Sequence, residues 1–392
     1  MVEDREKSIK KFLVLIIISL LIVGYYFYWI FINTVAAFAR GPQFVFFGLF
    51  MMLVFLFVGL FSFTKLVSLK YGPEKKKTFV KTICLIFIIV FAGLFVNSAI
   101  ERRTYHMIVV SGIERQYLMT MPSNYSDSNA PIPLLIACHG GSGNAKQFKS
   151  SMDFDRLAEL YNFIVVYPDG MPVNNIFKNM KVWNSGYIKS SVEMGINDVE
   201  FLTLLIQTLL EKYSIDPARV YMTGHSNGAM MTYRMGGERA DLFAAIAPTA
   251  GSIGGNMTPD SPRYIIPTPS RPSSVIHVHG YLDKNVPYNG GVPESGYNVG
   301  VRYDLSVNDS VGFWIENNGC NPVPIEESSK NNKISVKRWT GGANGTEVVL
   351  VTLWEVNHFT QNMDKAIEEE ELYGMKNLSE LIWLLLSKYT KI

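Results

Sequence analysis

The run Val220-Tyr221-Met222-Thr223-Gly224-His225-Ser226-Asn227-Gly228-Ala229-Met230-Met231-Thr232-Tyr233-Arg234-Met235 joins three kinds of sequence. Residues 220–223 favour a strand, residues 224–228 read Gly-x-Ser-x-Gly, and residues 229–235 are good helix formers without Pro or Gly. Strand, tight turn and helix in that order make an elbow that lifts a serine hydroxyl clear of a sheet. The turn puts Ser226 in a strained backbone conformation. Gly224 and Gly228 have no Cβ, so strand and helix can approach closely. The amide of Asn227 falls at a helix N-terminus, where negative charge is stabilised.

Outward from the elbow the pattern is that of an α/β protein. Met107–Val110 and Gln116–Met121 flank Ser111-Gly112, which predicts an opening hairpin. Pro131–Cys138 and Phe163–Tyr167 are apolar runs expected as buried strands, ending at His139-Gly140-Gly141-Ser142-Gly143 and Pro168-Asp169-Gly170. Asp153–Tyr161 reads as a helix. Asp198 is placed to cap a helix reaching Lys212, with Val199, Leu202, Leu205, Ile206 and Leu209 on one face. Phe243–Ala247, Ser274–Val278, Ile334–Trp339 and Val348–Trp354 are further strands, and Leu378–Tyr389 is a closing helix. Strands alternating with helices predict a mostly parallel sheet covered on both faces, an α/β-hydrolase fold once the elbow is included.

In that fold the nucleophile is followed by an acid and then by a histidine. The chain has six histidines, of which only His277, His279 and His358 follow Ser226. His277 and His279 lie in an apolar run and read as packing or hydrogen-bonding groups at a strand end, a metal pair being the less favoured use. His358 follows the last strand, where the base belongs. Asp283 sits just past a strand end and is the expected acid. Asp304 and Asp309 are its rivals but read as surface charge. Ser226 then attacks an ester carbonyl, His358 moves the proton, and Asp283 holds the tautomer of His358. The oxyanion hole is expected from the amides of Asn227 and Gly141. Neither a cofactor nor a metal is called for.

The first hundred residues differ. The whole chain of 392 residues is 48% hydrophobic, and the excess lies there. Residues 12–32, 44–64 and 82–100 are uncharged runs of about the ~20 residues that span a bilayer. Arg5, Lys7, Lys10 and Lys11 precede the first, and six lysines from Lys65 to Lys81 separate the second from the third. The positive-inside rule then predicts a cytoplasmic N-terminus. The expectation is a three-helix membrane anchor over 1–103 and an extracytoplasmic catalytic domain over 104–392. Its partners would be the lipid bilayer and a small or polymer-linked ester. The net charge of +2 gives no strong attraction to nucleic acid. Of three cysteines, Cys84 lies in an apolar run, and Cys138 and Cys320 read as free thiols.

Tyr213–Met231 resembles the polyhydroxybutyrate depolymerase/feruloyl esterase family. Asn197–Phe201, Phe243–Pro248, His279-Gly280-Tyr281-Leu282-Asp283 with Val286-Pro287-Tyr288, and Trp314 with Asn318-Gly319-Cys320 are similar to the same family. The resemblance runs from about Met107 to the C-terminus. It implies an esterase for feruloyl, acetyl or hydroxyalkanoate esters, with a triad at Ser226, Asp283 and His358. The family carries glycines before its catalytic histidine and a Trp soon after, whereas Val356-Asn357 and Phe359-Thr360 flank His358 here. An acyltransferase with the same triad, or a silent domain that only binds, stays open on sequence.

Overall fold

The computed structural model describes residues 105–126, 130–173, 180–258, 260–295 and 302–392; before these it describes residues 6, 8–19, 21, 22, 25, 59, 61–70, 72 and 74. The chain divides into two units, Met1–Thr104 and Tyr105–Ile392.

In the first unit the expected membrane spans are not supported. Among the described residues no helix is long and apolar enough to cross a membrane. The described helical stretches cover residues 8–19 and 61–70. The rest of the first two runs, and all of 82–100, lie outside the described residues. The three-helix anchor, the bilayer partner and the extracytoplasmic placement are corrected accordingly.

The second unit is built on one ten-stranded sheet. Its strands are β1 His106–Val110, β2 Ile113–Thr120, β3 Ile132–Cys138, β4 Ile164–Pro168, β5 Ile215–His225, β6 Ala245–Thr249, β7 Ser274–Gly280, β8 Ile325–Ser328, β9 Ile334–Trp339 and β10 Val348–Leu353. They lie in the order β1-β2-β4-β3-β5-β6-β7-β10-β9-β8. The six central strands are parallel, and hairpins close both edges. Ser111-Gly112 turns the first hairpin with both residues at positive φ.

Helices cover both faces. They are α1 Ala145–Ser151, α2 Phe154–Tyr161, α3 Lys189–Glu193, α4 Asp198–Lys212, α5 Asn227–Glu238, α6 Val307–Asn318, α7 Thr360–Glu369 and α8 Leu378–Leu386. Strand alternation sorts the core: Leu135 and Ala137 of β3 join the cluster under α2, α7 and α8, while Leu134, Ile136 and Cys138 join the one under α4, α5 and α6. Trp383 of α8 stacks on Phe163 with ring centres 3.6 Å apart and meets Tyr221 edge-on, which ties the C-terminal helix to the sheet. With the central strands parallel, their carboxyl ends meet on one edge. Loops leaving β3, β5, β7 and β10 gather there, where ligands bind in open α/β sheets.

Two local expectations change. Asn197, not Asp198, caps α4, its side chain accepting from the Glu200 amide. Asp198 is buried and ion-paired instead. Asp304 is no surface charge: it is fully buried, bound by Arg302 and by the Tyr187 hydroxyl. Asp309 is exposed and forms the capping box of α6 with Ser306. Cys138 and Cys320 are free thiols.

Candidate active site

Strand β5 runs into α5 through Ser226, whose backbone lies at φ 56°, ψ −120°. An N-cap serine normally sits in the β region and turns its hydroxyl back onto the first helical amides. This backbone prevents that, and Ser226 makes no side-chain cap. Its amide donates to Thr249 O at 2.9 Å, while among the described residues its Oγ has no hydrogen-bond partner. The helix start thus holds a serine with an unspent hydroxyl.

The glycines on either side are obligatory. A Cβ on Gly224 would lie 2.4 Å from Gly228 O, and one on Gly228 would lie 2.4 Å from both Cys138 O and His139 O. Those are backbone atoms that cannot swing aside. Gly228→Ala is therefore expected to cost roughly 2–3 kcal/mol of stability, as overpacking does, read from the urea midpoint. Gly312→Ala is the control: it lies inside α6 with nothing within 4 Å of the added carbon, so it should be neutral or slightly stabilising. Equal losses at both sites would show that the elbow is not tightly packed.

The loop after β3 lies over the elbow. A Cβ built on Gly140 would lie 3.6 Å from Ser226 Cβ, and one on Gly141 3.4 Å from Asn227 Cβ. Neither the Gly141 amide nor the Asn227 amide has a partner among the described residues, so two backbone donors stand free beside the serine. The Asn227 side chain does separate work. Its Oδ1 accepts from Trp183 N at 2.7 Å and its Nδ2 donates to Trp183 O at 3.0 Å, clasping the 183–185 loop to the helix. Trp183 is fully buried and donates Nε1–H to His139 O at 2.9 Å, which makes it a strut between the two loops.

Beneath that loop lies a set of buried charges. His139 Nε2 accepts from Gly170 N at 3.0 Å, so its proton sits on Nδ1 and goes to Gly140 O at 2.7 Å. Asp169 accepts from Ala145 N, Gln116 and Lys181. Arg115 donates to Asp198 at 2.6 Å and to Asp169 O at 3.1 Å, with its guanidinium over the Phe201 ring. Asp198 also accepts from Asn184 N at 2.7 Å. Sequence reading missed all of these as site residues. Arg115 on β2 and Asp198 in α4 are 83 positions apart, and a lone charge carries no local sign of so distant a partner.

Asp283 and His358 do come together. His358 Nδ1 donates to Asp283 Oδ2 at 2.6 Å, and both residues are buried. Asp283 Oδ1 accepts from Asn285 N and Val286 N at 2.7 and 2.9 Å. Burial alone would raise the Asp283 carboxyl, but the bonds from His279 and His358 outweigh it and hold the group well below the carboxylate range. The histidine loop is tied to the elbow by His225, whose Nε2 donates to His358 O at 2.8 Å; the two rings lie 4.7 Å apart. No hydrogen bond joins His358 to Ser226 among the described residues.

Three buried imidazoles give the site a pH signature. Burial lowers His139 to about 4 and, with the nearby His358, His225 to about 3; burial also holds His277 well below its ordinary 6.5. Below pH 6.5 the unfolded chain protonates these rings while the fold does not. The unfolded state then binds more protons, so stability is full above 6.5 and falls as pH drops toward 4. Each ring contributes ~1.4 kcal/mol per pH unit, about 4 for the three. Urea midpoints measured from pH 7 to 5 should fall accordingly; a flat profile would show that the rings charge within the fold.

Among the described residues no group of three metal-ligating side chains gathers. Residues 116–286 match the family described as esterase PHB depolymerase. Feruloyl esterase B of Piromyces equi is 27% identical over 230 residues, 58% of this chain and 40% of that protein. Poly(3-hydroxyalkanoate) depolymerase C of Paucimonas lemoignei is 34% identical over 122 residues, 31% of this chain and 28% of that one. The chain thus spans well under half the length of these relatives. An acetyl xylan esterase from Aspergillus awamori aligns over 67% of this chain and 97% of its own at 15% identity, with a TM-score of 0.43.

Proposed function

We infer that this chain, which belongs through residues 116–286 to the esterase PHB depolymerase family, is a serine esterase working through an acyl-enzyme on Ser226. The activity resides in the unit Tyr105–Ile392. As Ser226 Oγ bonds to the ester carbonyl carbon, its proton passes to His358 Nε2. The carbonyl electrons move onto oxygen, where the amides of Asn227 and Gly141 receive the charge at a helix N-terminus. Collapse breaks the bond to the alcohol, which leaves with the proton from His358. Water then repeats the cycle and releases the acid. Asp283 keeps the proton of neutral His358 on Nδ1, leaving Nε2 free to accept.

The observation that carries this reading is the pairing of the 2.6 Å His358–Asp283 bond with an unspent elbow serine at the end of β5, on the same edge of the sheet. The names of the relatives favour feruloyl, acetyl or hydroxyalkanoate esters, including polymer-linked ones, as substrates. A fluorophosphonate probe on the full chain tests it: the adduct is expected on Ser226, located by peptide mass spectrometry, with loss of p-nitrophenyl acetate turnover in step with labelling. Labelling elsewhere, or turnover that survives full labelling, would refute the proposal.

A further inference from the structure

The esterase reading leaves three buried polar side chains of the fold without a task. On β7 the side chains of His277 and His279 face α5, the elbow helix. The Tyr233 hydroxyl, on that helix, lies 2.6 Å from His277 Nδ1; His277 Nε2 lies 2.9 Å from His279 Nδ1; and His279 Nε2 lies 2.9 Å from Val286 O and 3.3 Å from Asp283 Oδ2. All three residues are fully buried.

The far end fixes every proton. Val286 O only accepts, so His279 carries its hydrogen on Nε2. With neutral rings, His279 Nδ1 then accepts from His277 Nε2–H, and His277 Nδ1 accepts from the Tyr233 hydroxyl. Each donor points the same way, toward Asp283, and aligned bonds of this kind reinforce one another. The file ends at Val286 O, and the same Nε2–H lies 3.3 Å from Asp283 Oδ2, the oxygen that His358 uses.

We propose that Tyr233, His277 and His279 are positioning residues for Asp283, a file of aligned donors that holds its carboxylate ionised and turned toward His358. The proposal rests on the esterase reading for its consequence but not for its geometry. The other titratable and charged groups around the file are His358 and His225 at the acid end, Tyr288 edge-on to His279, and Arg302, which donates to Asn285 O beside the acid and pairs with Asp304. A carboxylate with one donor fewer is a stronger base toward His358 and favours its charged form.

The test measures the full chain in two ways: the pH profile of kcat/KM for p-nitrophenyl acetate, and the titration of the His358 ring by NMR with labelled histidine. His279→Leu is expected to lower kcat/KM roughly tenfold and to move the acid limb and the ring titration up by ~0.5 pH unit. His279→Gln, whose amide can donate toward Asp283 and accept from His277, is expected to restore most of both. If His279→Leu fails to fold, Tyr233→Phe keeps the ring volume and decides by the same criterion, with a smaller upward shift expected. A His358 titration that stays at the wild-type value, whatever the rate loss, overturns the proposal. Absence of turnover and of Ser226 labelling in the wild type would sink the esterase reading alone, because the NMR titration still reports on Asp283.

Discussion

Ser226→Ala is expected to lower kcat for p-nitrophenyl acetate by roughly 10⁵- to 10⁶-fold, with little change in KM. The hydroxyl is the one atom removed, and among the described residues it bonds to nothing, so the fold loses no contact. Alanine tolerates φ 56°, ψ −120° no worse than serine, and the urea midpoint should stay within ~0.5 kcal/mol of wild type. The amides of Asn227 and Gly141 remain and should leave a residual rate ~10³-fold above water. Rate and stability therefore part company in this variant. A protein equally active without the hydroxyl would place the chemistry elsewhere; one that loses stability along with rate would give Ser226 Oγ a structural partner.

What could be read in advance depended on how local each signal is. The elbow was legible because strand, turn and helix are contiguous and because Gly224 and Gly228 are dictated by backbone contacts of 2.4 Å. Asp283 and His358, 75 positions apart, were found by chain order and by their places after strand ends, and the two side chains do meet at 2.6 Å. The buried Arg115–Asp198 and Lys181–Asp169 pairs were invisible, because a charged residue looks alike in sequence whether it meets solvent or a buried partner. Asp198 looked like a cap for the same reason: one position decides between accepting from its own helix and accepting from Arg115. Asp304 looked solvated because its neighbours are polar, yet Arg302 and Tyr187 enclose it. The file from Tyr233 to Asp283 was half seen. His277 and His279 were read as hydrogen-bonding groups at a strand end, but what they bond to depends on a tyrosine 44 residues upstream of His277. Apolar run length misled over the first hundred residues: among the described residues there, no helix is long and apolar enough to cross a membrane.

Asp283→Asn is expected to lower kcat about 10⁴-fold while leaving the fold intact. Four donors converge on this carboxylate: the amides of Asn285 and Val286 on Oδ1, and His358 Nδ1 with His279 Nε2 on the Oδ2 side. An asparagine offers one acceptor oxygen and one donor NH₂. The backbone amides cannot become acceptors, so the oxygen must stay with them and the NH₂ must face His358. His358 Nδ1 then accepts, its proton moves to Nε2, and the nitrogen that should take the proton from Ser226 already carries one. His279 turns its hydrogen wholly to Val286 O, so the fold keeps its bonds and the chemistry loses its base. Fluorophosphonate labelling of Ser226 should slow in proportion to kcat, because it needs the same proton transfer. Asp309→Asn is the comparison: it sits in an exposed capping box, still caps α6, and should leave kcat within about twofold. A loss below tenfold at Asp283 would mean that His358 finds its tautomer without the carboxylate.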